Sequence, residues 1–238
     1  MTISAADLVF IKASTILGRL PEGSGLEELA ADPNFLVPLE SGQELALPER
    51  GAPGLFVVVR GTVELVLADG DGKEKIVEFI KAGGFLREEG LFSGGTRPYV
   101  VRALATTELL RLPEETVGEW VTRYPDFGIQ LLGLINRRIQ YFYRDVFTQS
   151  TKNAPGRLVC YLICQFDKTP RTADGSYLLK LTLPRKKLAA RLGMTGEHMS
   201  RAFRQLREEG LLIPHPEGFF IPDVQRLSSY VCPAGCDW

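Results

Sequence analysis

Cysteine is missing from the first two-thirds of this chain: of four in 238 residues, the first is Cys160 and the others are Cys164, Cys232 and Cys236. A small secreted disulfide scaffold would spread its cysteines over the whole domain, so that class is excluded. Histidine is nearly as scarce, with only His198 and His215. No Ser/His/Asp arrangement and no metal-ligand spacing can be assembled, which argues against an enzyme. No apolar run approaches the roughly 18 residues of a membrane helix. The N-terminal MTISAADLVFIKAS lacks a basic segment followed by a long apolar one, so no signal peptide is expected and a cytoplasmic protein is the default. Charge of one sign is also missing: the net is −1, so any contact with nucleic acid must come from local charge.

What is present falls into three segments: 1–124, 125–149 and 150–238. After a short helix and loop, with Leu26–Ala31 as a further helical turn stopped by Pro33, short β-rich runs begin near Phe35. They include LFVVV (55–59), TVELVL (62–67), KIVEFI (75–80), PYVVRAL (98–104) and ELLRL (108–112). The ADGDG stretch (68–72) is a hairpin signal, because glycine accepts the positive φ of such turns. Closely spaced short strands predict a β-roll or jelly roll. PEETVGEWVTRY (113–124) then reads as a helix, and Pro125 opens another. In that second helix Gly128, Leu132, Ile135, Ile139, Phe142 and Val146 step by 4, 3, 4, 3, 4, the spacing of a coiled-coil seam. Leu131, Leu134 and Tyr141 add a second apolar side. A core helix needs one such side. Two favour a homodimer helix that also rests on the β-domain. STKNAPG (150–156) reads as a hinge, and RLVCYLICQF (157–166) as a helix in which Cys160 and Cys164 pack as core thiols.

The segment 181–223 reads as a winged helix-turn-helix. Leu188, Ala189 and Leu192 give a first helix, opened near Pro184, its apolar face, and Gly193 follows where a helix C-terminus needs positive φ. Thr195 can cap a second helix whose core face is Met199, Phe203 and Leu206. Glu197, Ser200, Arg201 and Arg204 fall on a different face. Such a pair places its second helix in the DNA major groove. Arg bridges guanine O6 and N7, Glu accepts from cytosine N4, and Ser adapts to either role, so Glu197, Ser200 and Arg201 are candidate base readers. Between Pro184 and Gly210 seven Lys or Arg stand against three Glu, a local net of +4. Arg185, Lys186, Lys187, Thr195, His198 and Arg204 are candidates for the DNA backbone. LLIPHPEGFFIPD (211–223) reads as a hairpin wing with His215 exposed.

Taken together, FVVVRGTVELV, GGFLREEGLF, the seam helix and LPRKKLAARLGMTGEHMSRAFRQLREEGLLI resemble the bacterial transcription regulators of the cyclic-AMP receptor protein / fumarate-nitrate reduction regulator (CRP/FNR) family, over nearly the whole chain. The resemblance implies an α+β fold: a cyclic-nucleotide-binding-like β-roll, a long dimerisation helix built on Leu132, Ile135, Ile139, Phe142 and Val146, and a C-terminal winged helix-turn-helix. It implies a homodimer on a two-fold symmetric double-stranded DNA site, an effector in the β-roll, and RNA polymerase as a partner. Glu197, Ser200 and Arg201 match the Glu-x-x-Ser-Arg pattern of the fumarate-nitrate branch. The cyclic-AMP branch has arginine just before that glutamate, where this chain has Gly196, so a TTGA-type half-site is expected.

The cofactor or effector is left open. The family's cyclic-nucleotide cassette places Gly-Glu near one strand and Arg-Ser in the next loop. Here Glu88 and Arg97 stand at the Glu and Arg positions, but Arg87 and Pro98 replace Gly and Ser, which speaks against cyclic AMP. An iron–sulfur sensor of the N-terminal type is excluded by the missing cysteines, and haem finds no His or Cys in the β-domain. Cys232 and Cys236 in CPAGC are the weak candidates for a metal or redox pair. Two rival readings remain: a cyclic-nucleotide or small-molecule binding module whose helical part contacts protein, and a thiol or metal redox sensor using Cys232 and Cys236.

Overall fold

A computed structural model describes residues 3–46, 54–68, 70, 74–92, 99–165, 176–181 and 183–231. Arg97, Pro98, Cys232 and Cys236, and most of the ADGDG turn, lie outside the described residues. Two compact units divide the chain, Met1–Gln140 and Tyr141–Trp238.

The first unit opens with helices α1 (Ala5–Ser14) and α2 (Leu26–Ala31), followed by strands β1 (Leu36–Leu39), β2 (Leu55–Arg60), β3 (Thr62–Ala68), β4 (Glu74–Lys81), β5 (Phe85–Leu86), β6 (Val100–Ala103) and β7 (Thr107–Leu112). They form two antiparallel sheets, ordered β1-β7-β2-β5 and β4-β3-β6. Strand β2 is an uninterrupted apolar run because both of its faces are covered. Leu55, Val57 and Val59 alternate toward a core shared with Ile11, Leu17, Val117, Trp120 and Phe127, while Phe56 and Val58 are buried on the opposite face. Gly61, between β2 and β3, has φ +90, and a Cβ there would strike Thr107 Oγ1 and the Thr106 carbonyl, so the tight turn requires glycine.

Helix α3 (Glu114–Arg123) buries Val117 and Trp120, whose indole N–H donates to the Ser24 carbonyl at 2.8 Å. Helix α4 (Pro125–Thr151) starts at the proline, as expected, and runs for 27 residues. Its first half packs Phe127, Leu131, Leu134 and Ile135 against the β-domain core, with the Trp120 and Phe127 rings edge to face.

The second unit holds the last turns of α4 together with α5 (Ala154–Ile163), β8 (Tyr177–Leu179), α6 (Arg185–Arg191), α7 (Gly196–Glu208), β9 (Ile213–His215), β10 (Gly218–Ile221) and α8 (Val224–Ser229). Within 150–156, α4 continues to Thr151, Asn153 caps α5, and α5 begins at Ala154. Strands β9 and β10 pair as the wing, and β10 also pairs β8. Leu158 and Leu162 of α5, Leu188 of α6, Met199, Phe203 and Leu206 of α7, and Phe219 and Ile221 of the wing share one core. Phe203 stacks on Phe219 at 5.0 Å, and truncating such a ring to alanine costs about 3–5 kcal/mol. Only half of the expected thiol pair joins this core. Cys160 is half-buried against it, whereas α5 ends at Ile163, so that Cys164 caps the helix and is exposed.

Candidate functional site

The turn between α6 and α7 is built as its sequence requires. Gly193 has φ +63, a conformation open to glycine and costly for side-chain-bearing residues. The Met194 N–H donates to the Ala189 carbonyl at 3.0 Å, and Thr195 Oγ1 accepts from the His198 N–H at 3.2 Å, capping α7. Met199, Ala202, Phe203 and Leu206 are buried at helical spacing. That leaves Glu197, His198, Ser200, Arg201 and Arg204 exposed on the other side. Ser200 donates its hydroxyl to the Gly196 carbonyl at 2.9 Å. Arg185 and Lys186 are exposed and Lys187 is half-buried, while the Arg185 guanidinium lies 5.0 Å over the Phe203 ring. A cleft of about 370 Å³ lies between the helices, floored by Ala189, Met194 and Met199 and rimmed by Arg185, Lys186 and Ser200. Of the local basic residues, Arg191 is buried and belongs to the interior.

In the β-domain, Glu88 and Arg87 lie together after β5. Arg87 takes the left-handed conformation (φ 70) that a glycine would adopt freely. It is 5% exposed, its N–H donates to Tyr99 Oη at 3.2 Å, and its buried Nε has no hydrogen-bond partner among the described residues. Glu88 is 1% exposed and faces Arg138 of α4, with Nη1 2.9 Å from Oε1. This is an ion pair without the alignment of a straight hydrogen bond. Arg138 also lies 3.3 Å from Glu78 of β4. Burial pushes the Glu88 carboxyl up to about 7, against the pull of Arg138 and with smaller upward contributions from Glu89 and Glu78. Arg138 was not anticipated. The signal was a charge placed three and four residues from Ile135 and Leu134, on the side that α4 turns to the core.

Along α4, Leu132, Ile139 and Val146 are exposed, but Ile135 packs on the β-domain core and Phe142 is half-buried. The exposed apolar line instead runs Ile129, Leu132, Ile139, Tyr143 and Val146, with Asn136 interrupting it. It keeps the alternating three-and-four spacing of a seam. Among the described residues, no group of three or more His, Cys, Asp or Glu is placed to hold a metal, and no helix is long and apolar enough to cross a membrane.

Residues 36–124 match the profile of the cyclic nucleotide-binding domain, and residues 156–230 match that of the Crp-like helix-turn-helix domain. The chain is 24% identical over 165 residues to the cAMP-activated global transcriptional regulator CRP of Pasteurella multocida, covering 69% of this chain and 78% of that protein. It is 25% identical over 175 residues to the fumarate and nitrate reduction regulatory protein of Salmonella typhi, covering 74% and 70%. Among solved structures, FixK2 from Bradyrhizobium japonicum superposes with a TM-score of 0.66 at 21% identity, covering 81% of this chain and 94% of that one. A CooA mutant from Carboxydothermus hydrogenoformans gives 0.70 at 20% identity, covering 91% and 99%. With a cyclic-nucleotide-binding-type domain ahead of a long helix and a Crp-like helix-turn-helix behind it, the chain belongs to the CRP/FNR family of DNA-binding transcription regulators.

Proposed function

We propose that this protein is a cytoplasmic, homodimeric, one-component regulator that reads a two-fold symmetric, TTGA-type DNA site. The observation that carries this reading is the exposed row Glu197, Ser200 and Arg201, presented on a helix whose opposite face is buried and whose start is capped. Arg201 suits guanine, Glu197 suits cytosine, and the apolar floor of the adjoining cleft suits a thymine methyl. Arg185, Lys186, Lys187, Thr195, His198 and Arg204 supply the phosphate contacts, which give affinity and register without base identity. The exposed line from Ile129 to Val146 on α4 supplies the dimer seam, and RNA polymerase is the protein partner the family implies.

The β-domain senses a small molecule near Glu88 and Arg87, with Arg97 close by in the sequence. Cyclic AMP in its usual pose is disfavoured. A buried arginine fills the place of glycine, and Glu88 already faces Arg138. Effector binding shifts the population between DNA-competent and incompetent poses, and by linkage DNA changes effector affinity by the same factor and in the same direction as the effector changes DNA affinity. The test is a gel shift on a TTGAT…ATCAA palindrome. Ser200→Ala and Arg201→Ala should each weaken binding, the arginine change by about 1–3 kcal/mol. Unchanged binding by both variants would sink the reading.

A further inference from the structure

The last turns of α4 present two different faces. Tyr143 and Val146 are 73% and 68% exposed, and they belong to the seam line. Asp145, between them in sequence, points the other way, into the second unit. There it meets Arg191, the last residue of α6, which is 3% exposed. Arg191 Nη1 lies 2.8 Å from Asp145 Oδ1, Nη2 donates to Tyr141 Oη, and the guanidinium sits 5.6 Å over the Tyr141 ring. Gln149 Nε2 donates to Asp145 Oδ2 at 2.7 Å. A second arginine, Arg157 of α5, donates to the carbonyls of Lys152 (2.9 Å) and Gln149 (2.7 Å), at the end of α4. Its Nη1 donates to the carbonyls of Leu192 and Gly193, both at 3.4 Å, and these residues form the helix-turn-helix turn itself.

A buried ion pair is a poor way to add stability, since apolar residues of similar volume usually do as well or better. What it adds is direction: a planar guanidinium hydrogen-bonded to Tyr141, ion-paired with Asp145 and lying over a ring has few orientations open to it. We propose that Arg191 and Asp145 are positioning residues for DNA recognition. They fix the angle between the seam-bearing turns of α4 and the turn that launches α7, so the dimer presents its two reading helices at one separation. The inference rests on the dimeric, DNA-reading function proposed above, and the two can fail separately.

The test compares wild type with the paired variant Asp145→Leu/Arg191→Met, which removes both charges and leaves neither one unpaired. Binding is measured by fluorescence anisotropy on palindromes whose half-sites are moved apart or together by one and two base pairs, and on a single half-site. Each base pair turns a half-site by roughly 35° about the duplex axis, from the 10–10.5 base pairs of a turn. Wild type should therefore lose at least about tenfold in affinity per step. The paired variant should keep its melting temperature and its half-site affinity, while spacing discrimination falls to about threefold or less. A merely structural role would leave that discrimination intact, and a folded paired variant that keeps it overturns the proposal. Should the paired variant fail to fold, Asp145→Asn replaces it, with the same loss expected and the same retention fatal. A wild type that is monomeric in sedimentation, or indifferent to spacing, removes the underlying reading and this inference with it.

Discussion

Glu88 makes stability of the first unit depend on pH in an unusual direction. Its carboxyl is ordinarily near 4.5 and burial raises it to about 7, so the folded state holds this proton more tightly than the unfolded state. A group raised in this way stabilises the fold at low pH, and its contribution is lost as pH climbs from about 4.5 through about 7. From pH 5 to pH 8 this one residue should remove about 2–3 kcal/mol of stability, because each unit of pKa difference corresponds to about 1.4 kcal/mol. Glu88→Gln keeps the shape and abolishes the titration, although Arg138, Glu78 and Glu89 stay in place around it. Urea unfolding at pH 5, 6, 7 and 8 reads the effect, followed by the fluorescence of buried Trp120 in a Trp238→Phe background. The stability difference between wild type and Glu88→Gln should narrow or reverse by about 2–3 kcal/mol, with the variant gaining relative to wild type as pH rises. Parallel pH curves for the two proteins would refute the reasoning.

Two further outcomes are expected. Gly193→Ala meets only ordinary contacts, with Gln149 Oε1 3.5 Å and Arg157 Nη1 3.6 Å from the new Cβ, so its cost is the left-handed backbone alone, about 1 kcal/mol. Gly193→Asn should cost less in the same denaturant titration, because asparagine visits that conformation more readily. Leu132→Lys, at one of the most exposed positions of the apolar line on α4, should dissociate the dimer in sedimentation and weaken binding to full palindromes, with the unfolding midpoint of the monomer nearly unchanged.

Much of the DNA-reading unit could be read from the residues, because its signals are local. A turn glycine, a capping threonine and apolar residues at i, i+3, i+4 and i+7 state both the bend and which face is buried. The strands of the β-domain were legible where apolar runs were long, as in β2 and β3. Strand β1 was not among them, since its LVPL is broken by Pro38, and three-residue β8 carries too little pattern. The long helix and its apolar spacing were legible, but the residues it leaves exposed are not all those the spacing picked out. A helix with two apolar sides does not declare which side its own chain covers, so Ile135 went to the core while Ile129 and Tyr143 took the open side. Least legible were Arg138 and Arg191. A charged residue on a helix defaults to solvent, and only the fold brings Glu88 and Asp145 close enough to draw the two arginines inward.

In the base-reading role proposed for it, the hydroxyl of Ser200 has a further consequence for base choice. Its proton is already committed to the Gly196 carbonyl, one turn back along its own helix. Two lone pairs remain outward, so without rearrangement this serine can only accept. An amino edge, adenine N6 or cytosine N4, meets it at no cost, whereas a guanine or thymine carbonyl must first break the bond to the helix, a loss of about 1 kcal/mol. A side chain that looks indifferent among the four bases is thereby biased toward the two that carry an amino group in the major groove.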